Sequence, residues 1–260
     1  MPGNPKIELK QVSRHFETAS GLIKAITNLD LRIEEGEFFC VVGPSGCGKS
    51  TLLNLIAGFE HPDDGEVLVD GHAVKEPGPR RFVIFQEPAL FPWLNVRQNV
   101  GFGLQIAGVS DEELARRVEE LLETVHLSGF GDSWIHELSG GMKQRVSLAR
   151  ALAMNPDILL MDEPFAALDA QTRDMLHEEM ERIWQKTRRT IVFVTHNVRE
   201  AVRLGTRVIL MGQRGQGIRR EYLVDLPRNR FLEDPGVAHL AGVIRDDLRG
   251  EPDRASVPAA

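Results

Sequence analysis

"FFCVVGPSGCGKSTLL", Phe38 to Leu53, joins five apolar residues, a glycine-rich loop and the first turns of a helical pattern. A continuous apolar run of that length is what a strand buried on both faces looks like. Gly43, Gly48, Lys49 and Ser50 satisfy G-x-x-x-x-G-K-[ST] in the strand, loop and helix context which that pattern requires. The glycines permit close backbone approach, loop N–H groups point at β-phosphate oxygens, Lys49 reaches the β and γ phosphates, and the Ser50 hydroxyl can ligate Mg²⁺. Gly43, Pro44, Ser45, Gly46, Cys47, Gly48, Lys49, Ser50 and Thr51 are therefore read as an ATP site. Cys47 has two readings: a small tolerated residue, or a thiol whose pKa the loop amides lower enough for alkylation to inactivate the protein.

Similar apolar runs recur at "FVIF" (82–85), "ILLMD" (158–162) and "IVFVT" (191–195), with helical patterns between several of them. That alternation predicts an α/β core built on a mostly parallel sheet. "IELKQVSRHF", "ITNLDLRI" and "GEVLVDG" instead alternate or are β-rich with turns between, which predicts an N-terminal antiparallel β-subdomain. From about Asn95 to Ala153 no strand pattern occurs. "SDEELARRVEELLETVHL" opens with a capping box, Ser110 and Glu113, and carries Leu114, Val118, Leu121, Leu122 and Val125 on one stripe, so an inserted α-helical subdomain is expected. The expected division is an ATPase domain over 1–230, with core and β-subdomain at about 1–90 and 154–230 and helical subdomain at about 91–153. A tail follows over 231–260. "GQRGQGIRREYLVDLPR" reads as a glycine-rich hairpin leading to an extended tail, and "GEPDRASVPAA" as disordered.

The 260 residues, 42% hydrophobic and 27% charged, suit one large domain or a core with an inserted subdomain. A net charge of −7 speaks against broad nucleic-acid binding, and two cysteines in a strand and its following loop are no disulfide framework. A reducing compartment fits. The N-terminus has no apolar leader segment and no apolar run approaches the roughly 20 residues of a spanning helix, so any membrane role comes through a partner.

Two further motifs carry chemistry. "ILLMDEP" ends a buried strand with two carboxylates whose side chains alternate to opposite sides, so Asp162 is placed to hold Mg²⁺ and Glu163 to orient or deprotonate the attacking water. "LSGGMKQ", Leu138 to Gln144, puts two glycines where helix formers would be more stable. Bare N–H groups and a hydroxyl at the positive end of a helix make a second anion site. One triphosphate does not easily saturate two such helix starts of a single chain, whereas a two-fold dimer gives each ATP both.

"GPSGCGKST", "ILLMDE" and "LSGGMKQR", in this order, resemble the ATPase subunit of ATP-binding-cassette (ABC) transporters from about Ile7 to about Arg228. The resemblance implies a head-to-tail dimer in which Ser139, Gly140 and Gly141 close on ATP held by the other copy, with Asp169 of "AALD" along the joint. It implies that Phe16 stacks on adenine, that Gln86 meets Mg²⁺ together with Ser50 and Asp162, and that His196 is a switch histidine near the γ-phosphate. Lys49, Gln86, Glu163 and His196 would form the catalytic set. "EPALFPWLNVRQNVGFGL" resembles importers of nitrate, sulfonate and taurine, and Phe91, Trp93 and Phe102 read either as permease groove or as core. The implied partners are a second copy or a homologous subunit, two transmembrane permease subunits and, indirectly, a solute-binding protein, with the chain peripheral on the cytoplasmic face of the inner membrane. The competing reading is an ABC ATPase that remodels a protein or lipid complex without moving a solute. "LMGQRGQGIRREYLVDLPR" departs from the expected hairpin by its extra glycine and arginine.

Overall fold

A computed structural model describes residues 5–19, 21–166 and 168–250. The chain divides into two compact units, 1–76 with 192–260 and 77–191.

In the first unit β1 (Ile7–Thr18) and β2 (Gly21–Ile33) pair antiparallel, β3 (Phe38–Val42) runs through the glycine loop into α1 (Lys49–Ala57), and β4 (Asp64–Val69) returns along the other edge of β1. With β5 (His72–Ala73) the order is β2-β1-β4-β5, the antiparallel sheet expected from the alternating pattern. Ile7, Leu9 and Val12 of β1 are buried, whereas all five residues of β3 are, as its unbroken apolar run demands.

The second unit contains β6 (Arg81–Ile84), α2 (Val96–Ile106), α3 (Asp111–Thr124), α4 (Gly140–Ala153), β7 (Ile158–Asp162) and α5 (Ala170–Thr187). β6 and β7 are parallel, in register from Arg81 opposite Ile158 to Ile84 opposite Met161. Between 95 and 153 the only extended pairing among described residues is an isolated bridge of Asn95 with Trp134. α2, α3 and α4 pack together, and Val100, Val118, Leu122 and Val146 on them are buried. Ser110 does cap α3, accepting from Glu113 N–H at 3.5 Å. The reciprocal half of the expected box is absent from the α3 cap, because the Glu113 carboxylate binds Arg116 (2.7 Å) and Arg117 (2.5 Å) instead. These cations hold it down to a pKa of about 2.

β8 (Thr190–Val194) straddles the division, and α6 (Val198–Leu204), β9 (Arg207–Met211), β10 (Ile218–Leu223) and α7 (Pro235–Arg249) complete the first unit. β9 runs parallel to β3 and antiparallel to β10. The Phe38 and Phe193 rings meet in the core at 6.0 Å between centroids. After the hairpin the expected extended tail is in fact a 15-residue helix, α7. Pro235 starts it, and Val237, Ala241 and Ile244, spaced four and three apart, are buried on the face that packs with α6. Arg230, 3% exposed, ties this region together. Its guanidinium donates to the carbonyls of Val202 (2.9 Å) and Gly205 (2.7 Å) at the end of α6 and to those of Val224 (3.0 Å) and Leu226 (2.8 Å) after β10. The stretch beyond Gly250, where composition predicts disorder, lies outside the described residues. Among the described residues no helix is long and apolar enough to cross a membrane.

Candidate nucleotide site

The phosphate loop is built by the first unit. β3 delivers Gly43, and Gly48 begins α1 with φ at 108° and no side-chain cap. Gly48 is required twice over: the left-handed φ favours glycine, and a Cβ there would lie 2.6 Å from the Ala25 carbonyl oxygen. Pro44, Ser45, Gly46 and Ser50 are exposed, Thr51 is half-buried, and the first turn of α1 contains no acid to compete for its N–H groups. Lys49, 7% exposed, folds back along the loop and donates to the carbonyls of Gly43 (3.0 Å) and Pro44 (2.9 Å). Its ammonium stands 3.9 Å from the Cys47 sulfur. Burial pushes the Cys47 thiol up, and Lys49 only partly opposes this, so the reading of a thiol activated by loop amides is reversed. Desolvation of a side chain 2% exposed outweighs the nearby dipoles.

Phe16, on β1, is half-buried, and the Arg14 guanidinium lies 4.8 Å from its ring centroid. Glu60 and Asp63 fix that guanidinium, each at 2.8 Å. His196, exposed, follows β8. Its turn is locked from both sides. Thr195 N–H donates to Val41 O at 3.2 Å, Thr195 Oγ1 accepts from Asn197 N–H at 3.0 Å, and the same hydroxyl donates to Glu200 at 2.7 Å.

The second unit holds the acidic pair and the second helix start. β7 is buried through Met161, and Asp162 and Glu163 are half-buried at its end. Glu163 has φ at 46°, a left-handed conformation for a non-glycine residue, so simple alternation stops at Asp162. Downstream, Arg173 holds the turn by donating to Leu168 O at 2.7 Å, and Asp169 caps α5 by accepting from Thr172 N–H at 2.9 Å. Thr172, through its hydroxyl and then its N–H, keeps the Asp169 carboxyl below the usual range.

Ser139 caps α4, its Oγ accepting from Met142 N–H at 3.3 Å, which leaves the O–H proton for another acceptor. Nothing lies within 4 Å of where a Cβ on Gly140 would stand. Gly141 faces Leu168, whose Cδ2 would be 3.4 Å from such an atom. In this unit, then, the Ser-Gly-Gly start and the Asp169 turn are neighbours, and bare backbone faces open space. Gln86 is exposed just after β6. Gln144 of α4 donates to Phe85 O at 3.4 Å, and Arg150 to Ala89 O (2.9 Å) and Pro88 O (3.1 Å), so α4 steers the segment that carries Gln86.

Phe91 touches both Trp93 (5.5 Å) and Phe102 (4.5 Å), and Trp93 is 68% exposed. Beneath them lies a residue that sequence reasoning missed. Asn99 is fully buried and uses both ends of its amide on the backbone of the 91–95 loop, with Nδ2 reaching Leu94 O (3.1 Å) and Asn95 O (3.0 Å). Thr195 and Glu200 were missed too. A lone polar residue at a helix or strand end has no signal in sequence; a buried Asn on an otherwise apolar helix stripe is the nearest to one.

A strand, glycine loop and helix with an inward lysine, together with a second bare helix start in the same chain, define an α/β P-loop nucleotide-binding protein. The family described as "ABC transporter" matches residues 26–166. The nitrate import ATP-binding protein NrtD of Synechocystis is 47% identical over 85% of this chain and 83% of its own length. The taurine import ATP-binding protein TauB of Ruegeria pomeroyi is 44% identical over 83% and 81%. Among solved structures, the dimeric post-hydrolysis state of an ATP-binding cassette bound to ADP and Pi superposes with a TM-score of 0.77 at 33% identity, over 85% of this chain and all of that one. The chain belongs to the ABC transporter family. It is an ATP-binding, ATP-hydrolysing cassette of that family, membrane-associated as the ATPase component of a transporter.

Proposed function

We propose that the chain powers uptake of a small anionic solute, of the nitrate, sulfonate or taurine kind, by closing as a dimer around two ATP molecules and opening on hydrolysis. Residues 43–51 cradle the phosphates and Phe16 stacks on adenine. Ser50, Gln86 and Asp162 would hold Mg²⁺, which would supply polarisation of the phosphate oxygens. Glu163 takes the proton of the attacking water, and His196 lies by the γ-phosphate. Ser139, Gly140, Gly141 and Asp169 serve the ATP of the other copy. The three proposed Mg²⁺ ligands fit in type, being a carboxylate, a hydroxyl and an amide oxygen, the hard donors that leave room for phosphate and water.

The observation that carries this reading is the α4 start, where Gly140 meets nothing and the Ser139 hydroxyl retains its proton. Such an N-terminus offers a γ-phosphate N–H groups and a favourable dipole, so ATP becomes part of the joint. The left-handed Glu163 adds support, because strain of about 1–3 kcal/mol is characteristically kept where function requires it. The names of the nitrate and taurine relatives support an importer; two permease subunits and a place on the cytoplasmic face of the inner membrane complete the proposed assembly. Exposed Trp93 with Phe91 and Phe102 supplies an aromatic surface for such a permease. Co-purification from native membrane tests the reading. Two permease and two ATPase subunits, stimulated by a solute-binding protein, are expected; a complex that hydrolyses ATP without solute dependence would favour remodelling instead.

A further inference from the structure

The hairpin between β9 and β10 carries "GQRGQG", Gly212 to Gly217, the glycine- and arginine-rich departure noted in the sequence. Gly212 N–H to Gly217 O and Gln216 N–H to Gln213 O, both 2.9 Å, close its backbone, and Gln216 Oε1 accepts from Gln213 N–H at 3.0 Å. A Cβ on Gly215 would stand 3.3 Å from Lys24 O of β2, so the tip is seated on that strand. Arg214 thereby reaches the phosphate loop. Its Nε donates to Gly46 O at 3.1 Å, and a terminal nitrogen lies 3.0 Å from where a Gly46 Cβ would be.

This contact sets the direction of one loop amide. In a trans peptide the C=O and the following N–H point opposite ways, and no cis bond occurs among the described residues. With the Gly46 carbonyl turned toward Arg214, the Cys47 N–H turns to the other side. There it meets Pro44 O at 3.4 Å, the same oxygen that Lys49 bonds at 2.9 Å. We propose that Arg214 is a positioning residue for the phosphate loop, holding the Gly46–Cys47 peptide so that its N–H faces the lysine side, where phosphate binds. Arg214 touches no nucleotide; it acts through Gly46. The inference rests on the loop being the ATP site.

The test is calorimetric titration of the full chain with ATP and with ADP. Arg214→Ala should weaken both by about tenfold, the size of one ordinary hydrogen bond, while the Tm of the nucleotide-free protein stays within about 2 °C of the parent. Arg214→Gln, which keeps a donor without the charge, should recover most of the loss. Parent affinity in Arg214→Ala overturns the proposal, and so does a loss that disappears when parent and variant are compared at about 1 M NaCl, since salt screens long-range charge and leaves a contact hydrogen bond in place. Lys49→Ala separates the two levels: if it binds ATP as the parent does, the reading of the loop fails and the role of Arg214 fails with it.

Discussion

Asn99 grips Phe91 at both ends of one residue: Oδ1 accepts the Phe91 N–H at 2.9 Å and Nδ2 donates to the Phe91 carbonyl at 3.1 Å. A side chain on α2 thus stands in for a strand neighbour and holds the loop bearing the aromatic cluster. Asn99→Leu, similar in size, strips these bonds from buried backbone and should cost about 3 kcal/mol, read from the urea midpoint. Retained stability would mean that water replaces the amide.

Glu163→Gln keeps shape and removes the basic oxygen. Turnover should fall by at least about 100-fold with ATP affinity unchanged, measured as single-turnover hydrolysis beside equilibrium binding. Normal hydrolysis would take the role of base away from Glu163.

Burial raises the Cys47 thiol, and Cys40, fully enclosed, is raised as well. A raised thiol pKa lowers the thiolate fraction at any given pH, so both should alkylate at least about tenfold more slowly than a free thiol at pH 8. Mass spectrometry of iodoacetamide-treated protein reads this, with urea-unfolded chain as the reference. Rapid labelling of Cys47 in the folded protein would restore the activated reading.

Asp63 accepts the His15 N–H at 2.5 Å and an Arg14 nitrogen at 2.8 Å, and these bonds, the backbone one foremost, hold its carboxyl below the ordinary 3.8. A depressed folded pKa gives stability that is complete above the unfolded value and lost as pH falls through the folded one. The parent should therefore lose urea resistance below about pH 4 more steeply than Asp63→Asn. Parallel curves would show that the carboxylate contributes nothing there.

The phosphate loop and its flanks are legible in sequence because each demand falls on a few adjacent residues: Phe38 to Val42 must be apolar, Gly48 must be glycine, Lys49 must reach back. The N-terminal sheet is equally plain, since the alternation in β1 is a local pattern. What escaped depends on distant partners. α7 hides behind two glycines and a proline, and its stripe of Val237, Ala241 and Ile244 gains meaning only against α6. The left-handed Glu163 has no residue-type signal, because glutamate ordinarily avoids that conformation. Arg214 shows in sequence only as an oddity; the Gly46 carbonyl 168 positions earlier explains it.

Arg230 has a practical corollary for anyone trimming or tagging this protein. An always-protonated side chain that threads five carbonyls from two segments works like a rivet, and it does not loosen with pH. A minimal cassette must therefore be cut after that position, although the last recognisable motif residue lies more than thirty positions upstream. Fluorophores and fusion partners belong after α7, where the rivet stays intact.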